Sequence, residues 1–244
     1  MTLMNLRIQF LLAAALGLSS HAAHADPPDI SGTFHLLLKT ATDADVPVIG
    51  TTRVNTSSDL LATIVRKNGQ YIQSHKTCTV NAVPTRGFGK TLLPQRFVDT
   101  LPVKTYPLVL TQSPDGWSFD ADLQPQSVGY HPEKSGGVMP TTEDHPAIYD
   151  WDSDGKPGAS IIVQVPLFGE FRIYMLQYSH ARLSGTVLSP DKITGEAIMM
   201  KLGQKTIGAD HFVFKTSAKI RPAPQPQPFV MTRVPDGSTC ADLK

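Results

Sequence analysis

The chain has 244 residues, 22 of them basic and 21 acidic, with a formal charge of +1. So even a balance leaves no basic stripe to hold a phosphate backbone, which argues against nucleic acid as a partner. The 18 glycines and 20 prolines are scattered as punctuation between short runs rich in Val, Ile, Thr, Phe and Tyr, the pattern of many strands joined by turns.

In chain order, the first element is a targeting signal. Arg7 precedes the apolar run 8–18, and a short polar stretch follows that ends in Ala23-His24-Ala25. That order predicts a signal peptide over residues 1–25, cleaved after Ala25 to expose Asp26. The apolar run is shorter than the roughly 20 residues a spanning helix needs. No cysteine lies near the cleavage site to take a lipid. The expectation is a secreted or periplasmic protein without a membrane anchor, residues 26–244 forming a single β domain.

Strands are expected over residues 31–40 and 46–55, with Asp43 and Asp45 in the loop between them. Two more, 60–66 and 71–80, flank Lys67-Asn68-Gly69-Gln70, and Asn-Gly is a strong hairpin signal because both residues tolerate positive φ. Residues 94–101 start with proline and end before Pro102, which predicts a short helix. A second hairpin joins 105–111 to 117–123. There Trp117, Phe119, Ala121 and Leu123 alternate with Ser118, Asp120 and Asp122, as in a half-buried strand. Residues 130–142 read as a long exposed loop. Strands resume at 159–165, 170–178, 181–188 and 193–201, with shorter runs at 211–215 and 229–234. The alternating prolines of 222–228 predict an extended strap. The fold class is all-β: an antiparallel barrel or a sandwich of about ten strands, with at most one short helix.

Cys78 and Cys240 are the only cysteines. An even pair in an exported chain predicts one disulfide, pinning the C-terminus to a strand in the first third. The chemistry-bearing motif is Asp150-Trp151-Asp152-Ser153-Asp154-Gly155-Lys156-Pro157-Gly158. Carboxylates at alternate positions can converge on one hard cation, Gly155 permits the sharp turn, and the Lys156 carbonyl can supply the next oxygen. Glu143 or Asp144 is a candidate to complete the shell from outside. Glu143, Asp144 and His145 together also form a weaker acid-histidine constellation. The other histidines of residues 26–244 (His35, His75, His131, His180 and His211) stand isolated, as core or surface residues do. No nucleophile elbow, zinc-protease helix or phosphate loop is present.

The motif resembles the Asp-x-Asp-x-Asp-Gly calcium loop of EF-hands, dockerins and FG-GAP propeller repeats. The resemblance implies calcium as a cofactor, ligated by Asp150, Asp152, Asp154 and Lys156. It departs from the EF-hand where Ile161 stands in place of a bidentate glutamate, and from FG-GAP repeats at Gly158. Without that bidentate ligand the expected site is weak, with a dissociation constant on the order of 10⁻⁴ to 10⁻³ M. The opening strand, with Gly32 two residues before Phe34, is similar to the Gly-x-Trp start of lipocalins. A cysteine near the C-terminus paired back to a barrel strand is similar to the usual lipocalin disulfide. That likeness implies a barrel holding a small apolar ligand. As a whole the chain also looks like exported bacterial proteins that carry one Asp-rich loop in a β domain, which names no activity.

Three functions are therefore open. The first is a non-enzymatic exported β protein that binds a small ligand or a surface partner, with calcium bracing a loop. The second is an extracytoplasmic hydrolase using acids of the 130–154 loop. The third is a calcium-stabilised structural or adhesive protein of the cell surface.

Overall fold

The computed structural model describes residues 26–46, 50–86, 90–165, 169–216 and 218–243. The expected signal peptide, residues 1–25, lies outside the described residues. The described residues form twelve strands: β1 (Gly32–Val46), β2 (Gly50–Lys67), β3 (Gln70–Pro84), β4 (Lys90–Leu92), β5 (Lys104–Ser113), β6 (Gly116–Asp122), β7 (Gln126–Val128), β8 (Ala159–Val165), β9 (Gly169–Ser189), β10 (Lys192–Ala209), β11 (Lys219–Pro222) and β12 (Gln227–Val234). One short helix, α1 (Gln95–Asp99), follows β4.

All twelve strands belong to one antiparallel sheet. Pairing runs β1–β2–β3–β5–β6–β9–β10–β12 and returns from β12 to β1, which closes a barrel-like ring of eight strands in chain order. The alternation that predicted the strands builds the ring's interior. Phe34 and Leu36 of β1, Leu60, Ala62 and Ile64 of β2, Phe119 and Ala121 of β6, and Phe229 and Met231 of β12 are buried in one cluster. Each of the larger side chains contributes about 1.5–3 kcal/mol by leaving water, and each alanine about 0.8 kcal/mol or less. Beside this cluster, the Arg233 guanidinium lies 4.8 Å from the centre of the Phe34 ring. Gly32 takes φ of +139°, which L side chains rarely adopt, so glycine is favoured two residues before the aromatic, and a Cβ there would displace the guanidinium nitrogen 1.9 Å away.

The two turns at the hairpins form as expected. Asn68 and Gly69 take φ of 52° and 80°, and Gly116 takes 121°. Several strands are longer than the sequence pattern suggests. Residues 50–55 and 60–66 are parts of the single strand β2, 170–178 and 181–188 are parts of β9, and β1 continues through Asp43 and Asp45, expected in a loop, because both pair with β2. The expected strand at 211–215 is instead a 3-10 turn, Phe212–Phe214, whose Phe214 N–H donates to the His211 carbonyl. Helical turn bonds within the run satisfy these backbone groups without a partner strand.

Length creates the feature that positions the candidate site. The free edge of β3 pairs with β5 over Tyr71 to His75 and with β4 only at Ala82. The facing edge of β9 pairs with β8, then with three residues of β7, then with β6. A waist is left between the two sets of strands. It is filled by a second apolar cluster of Phe97 and Val98 from α1, Val128 from β7, Trp151 and Ala159. Cys78 sits at this waist, as the extra residue of a bulge where β3 slips by one position against β2. Cys78 and Cys240 lie at disulfide distance, their Cα atoms 5.2 Å apart across 162 positions of sequence. Closing so long a loop stabilises the fold by up to about 5 kcal/mol in the chain-entropy account.

Candidate metal centre

The Asp-rich loop closes on itself at its neck. Gly158 donates its N–H to the Tyr149 carbonyl at 3.0 Å, and Trp151 donates to the Gly158 carbonyl at 2.8 Å. Only glycine fits at 158, because a Cβ would lie 2.7 Å from the Met175 carbonyl oxygen and φ is +77°. The turn at Gly155 has the expected positive φ, 79°. Between these points the side chains divide. Trp151 is buried in the waist cluster, its Nε1 donating to the Phe97 carbonyl at 3.2 Å. Asp150, Asp152 and Asp154 converge instead, one oxygen of each lying within 4.8 Å of the others.

Backbone and hydroxyl donors hold this convergence. The two oxygens of Asp150 accept the N–H groups of Asp154 at 3.1 Å and Gly155 at 2.8 Å. Asp154 accepts the Lys156 N–H on Oδ1 and the Ser160 hydroxyl on Oδ2. Asp152 accepts the Ser160 N–H on Oδ1 at 3.3 Å. Its Oδ2 is buried and has no hydrogen-bond partner. Since buried carboxylate oxygens are seldom left unpaired, this atom is the loop's conspicuous deficit.

The electrostatics are unfavourable in the same place. Two unit charges 4.8 Å apart repel by about 3 kcal/mol at an effective dielectric of 20. Burial, and then the charge of Asp154, push the Asp152 carboxyl above the ordinary carboxylate range. One positive side chain offsets this. Arg96, on α1, sets Nε 3.4 Å from Asp152 Oδ2 and its NH2 nitrogen 3.3 Å from Asp154 Oδ2.

The three aspartates are thus brought together as the motif predicts. Lys156 joins them through its backbone N–H, while its ammonium stands 5.6 Å from the centre of the Tyr174 ring. Glu143 and Asp144 stay exposed and are not part of the carboxylate group. His145 is turned to its own loop, Nδ1 accepting the Ala147 N–H at 3.1 Å. Where an EF-hand places its bidentate glutamate, Ile161 is a strand residue of β8 paired with Ile173. Two participants escape a reading of the motif. Ser160 had a signal, since alternation after Gly158 turns it back to the loop; Arg96, 58 residues from Asp154, had none.

Comparison with protein-family models, with curated proteins and with solved structures finds no match to this chain.

Proposed function

We propose that the protein is an exported β protein that engages a partner on its surface, and that the loop 150–158 holds a structural calcium ion at the waist. The observation that carries the calcium reading is Asp152 Oδ2, a fully buried carboxylate oxygen without a hydrogen bond, within a group of three carboxylates. Calcium takes six to eight oxygens in flexible geometry, so the Asp150, Asp152 and Asp154 carboxylates, the Lys156 carbonyl and water are a suitable set. Magnesium suits it less, because it demands strict octahedral geometry and keeps its waters.

Export is supported by the cysteine pair at disulfide distance, a bond that persists in oxidising compartments. No helix among the described residues is long and apolar enough to cross a membrane. A surface partner is favoured over a ligand held inside the ring because that interior holds packed side chains: Phe34, Ile64, Phe119, Phe229 and Met231 are 0–1% exposed.

The test uses protein recovered from the extracytoplasmic fraction of its host. Its N-terminus should be Asp26, its thiols should resist alkylation without denaturant, and flow dialysis should show one calcium per chain. Asp152→Ala should abolish that binding. A chain that retains Met1 contradicts export, and unchanged calcium binding by the variant contradicts the assigned site.

A further inference from the structure

Arg96 lies against two of the carboxylates that a metal would use. Its guanidinium spans Asp152 and Asp154, two of the three converging carboxylates, and faces the same Asp152 oxygen that lacks a hydrogen bond. Resting on the calcium reading above, we infer that Arg96 is a tethered cation that exchanges with calcium: it covers the loop in the metal-free protein, and the ion binds by displacing it to solvent.

Geometry supports exchange over a permanent ion pair. Charge-assisted N–H···O bonds ordinarily measure about 2.7–2.9 Å. Both contacts here are longer, 3.4 Å and 3.3 Å, so the guanidinium offsets charge without satisfying Asp152 Oδ2. The exit is also open. The Arg96 side chain is 45% exposed, whereas those of Asp152 and Asp154 beneath it are 0% and 1% exposed. A long side chain lying over buried carboxylates can leave by rotating about its own bonds. The backbone of α1 need not follow, because Phe97 accepts the Trp151 indole N–H and Gln95 donates to the Cys78 carbonyl at 3.4 Å.

Charge makes the two cations alternatives. Three carboxylates against the Arg96 guanidinium and the Lys156 ammonium leave the loop at −1, so a cation is still attracted while Arg96 is in place. Once bound to the same oxygens, however, a divalent ion and the guanidinium would stand a few ångströms apart and repel strongly. The affinity observed is then the intrinsic affinity reduced by the fraction of molecules in which Arg96 is away. In this account Arg96 sets the calcium threshold of the loop.

Calcium titrations of the mature wild type, Arg96→Ala and Arg96→Gln by calorimetry test this, with terbium luminescence sensitised by Trp151 as a second readout. Arg96→Gln keeps most of the aliphatic stem and guards against a packing artefact. Both variants should bind calcium about tenfold more tightly than the wild type. Their thermal stability should be lower than wild type in EGTA, and equal or higher in saturating calcium. Wild-type binding with unchanged or weaker affinity in both variants overturns the exchange and leaves the calcium reading standing. An absence of heat and luminescence in all three proteins overturns both.

Discussion

Two groups of buried polar side chains lie about the ring, and they are stabilised by opposite means. Inside it, Gln73 and His75 of β3 meet Tyr106 of β5: the Gln73 amide donates to the Tyr106 oxygen at 3.1 Å, and His75 Nδ1 lies 2.6 Å from that oxygen. Burial, and then the charge of Lys104, push the His75 pKa down to about 4, and burial raises that of Tyr106. At neutral pH the imidazole is therefore uncharged, and a hydrogen bond joins its Nδ1 to the Tyr106 hydroxyl. At the waist, Asp150, Asp152 and Asp154 carry charge that hydrogen bonds do not neutralise. The interior trio is neutral and leaves only the Gln73 Oε1 atom without a hydrogen bond, whereas the loop gathers carboxylates beside the Arg96 guanidinium. Buried charge is costly unless it is paired or coordinates a metal, so the loop rather than the trio is the place to test for a ligand.

The largest expected effect breaks the waist. Trp151→Ala removes a buried ring, its packing on Phe97 and its indole bond to the Phe97 carbonyl. Large-to-small losses of this kind cost about 3–5 kcal/mol. Urea unfolding should show it, and calcium affinity should fall as the loop loosens. A loss under about 1 kcal/mol would mean that the waist cluster does not anchor the loop.

Acid should separate the two regions by sign. The folded pKa of His75 lies near 4, below its ordinary 6.5, so the unfolded chain takes up the proton first. Stability from this residue is whole above pH 6.5 and declines as pH falls toward 4, by about 3 kcal/mol. Asp152 runs the other way when calcium is absent. Its folded pKa is raised, so its contribution is most favourable below the unfolded value and is lost as pH rises through the folded one. Denaturant midpoints measured from pH 7 to 4 in EGTA should flatten in His75→Gln. An unchanged slope in that variant would assign the acid loss elsewhere.

The smallest effect sharpens the description of the interior. Tyr106→Phe deletes the hydroxyl that both Gln73 and His75 use, leaving two buried polar groups unpaired. The expected cost is about 1–3 kcal/mol, and it should be the same in EGTA and in calcium. Dependence on calcium would show that the interior and the loop are one coupled unit.

The sequence makes these regions legible to different degrees. The acidic loop announces itself because its ligands are consecutive alternate residues, and the Asn68-Gly69 turn because two residues decide it. The interior trio is silent, since His75 and Tyr106 are 31 positions apart and meet only through the pairing of β3 with β5. Strand length is hidden for a related reason. Thr56, Ser57, Ser58 and Asp59 break the apolar alternation of β2, yet ladder bonds carry the strand through them, and Asp59 is held by His35 of β1 and Thr79 of β3. Strands of three or four residues, such as β4, β7 and β11, present too few positions for any period to show. Arg96 was hidden likewise, as a charge on a five-residue helix whose partners lie 56 and 58 positions away.

Calcium dependence of stability tests the central claim most directly. Because the ion binds the folded loop alone, stability should rise as RT ln(1 + [Ca²⁺]/Kd), about 2.7 kcal/mol at a hundredfold excess over Kd. Thermal melts of the wild type in EGTA and in tens of millimolar calcium, with magnesium as the control, should therefore separate by several degrees in calcium and far less in magnesium, and Asp152→Ala should respond to neither. Superimposable wild-type melts in EGTA and calcium would show that Arg96 and the backbone donors suffice, and that the loop is an acidic turn without a metal.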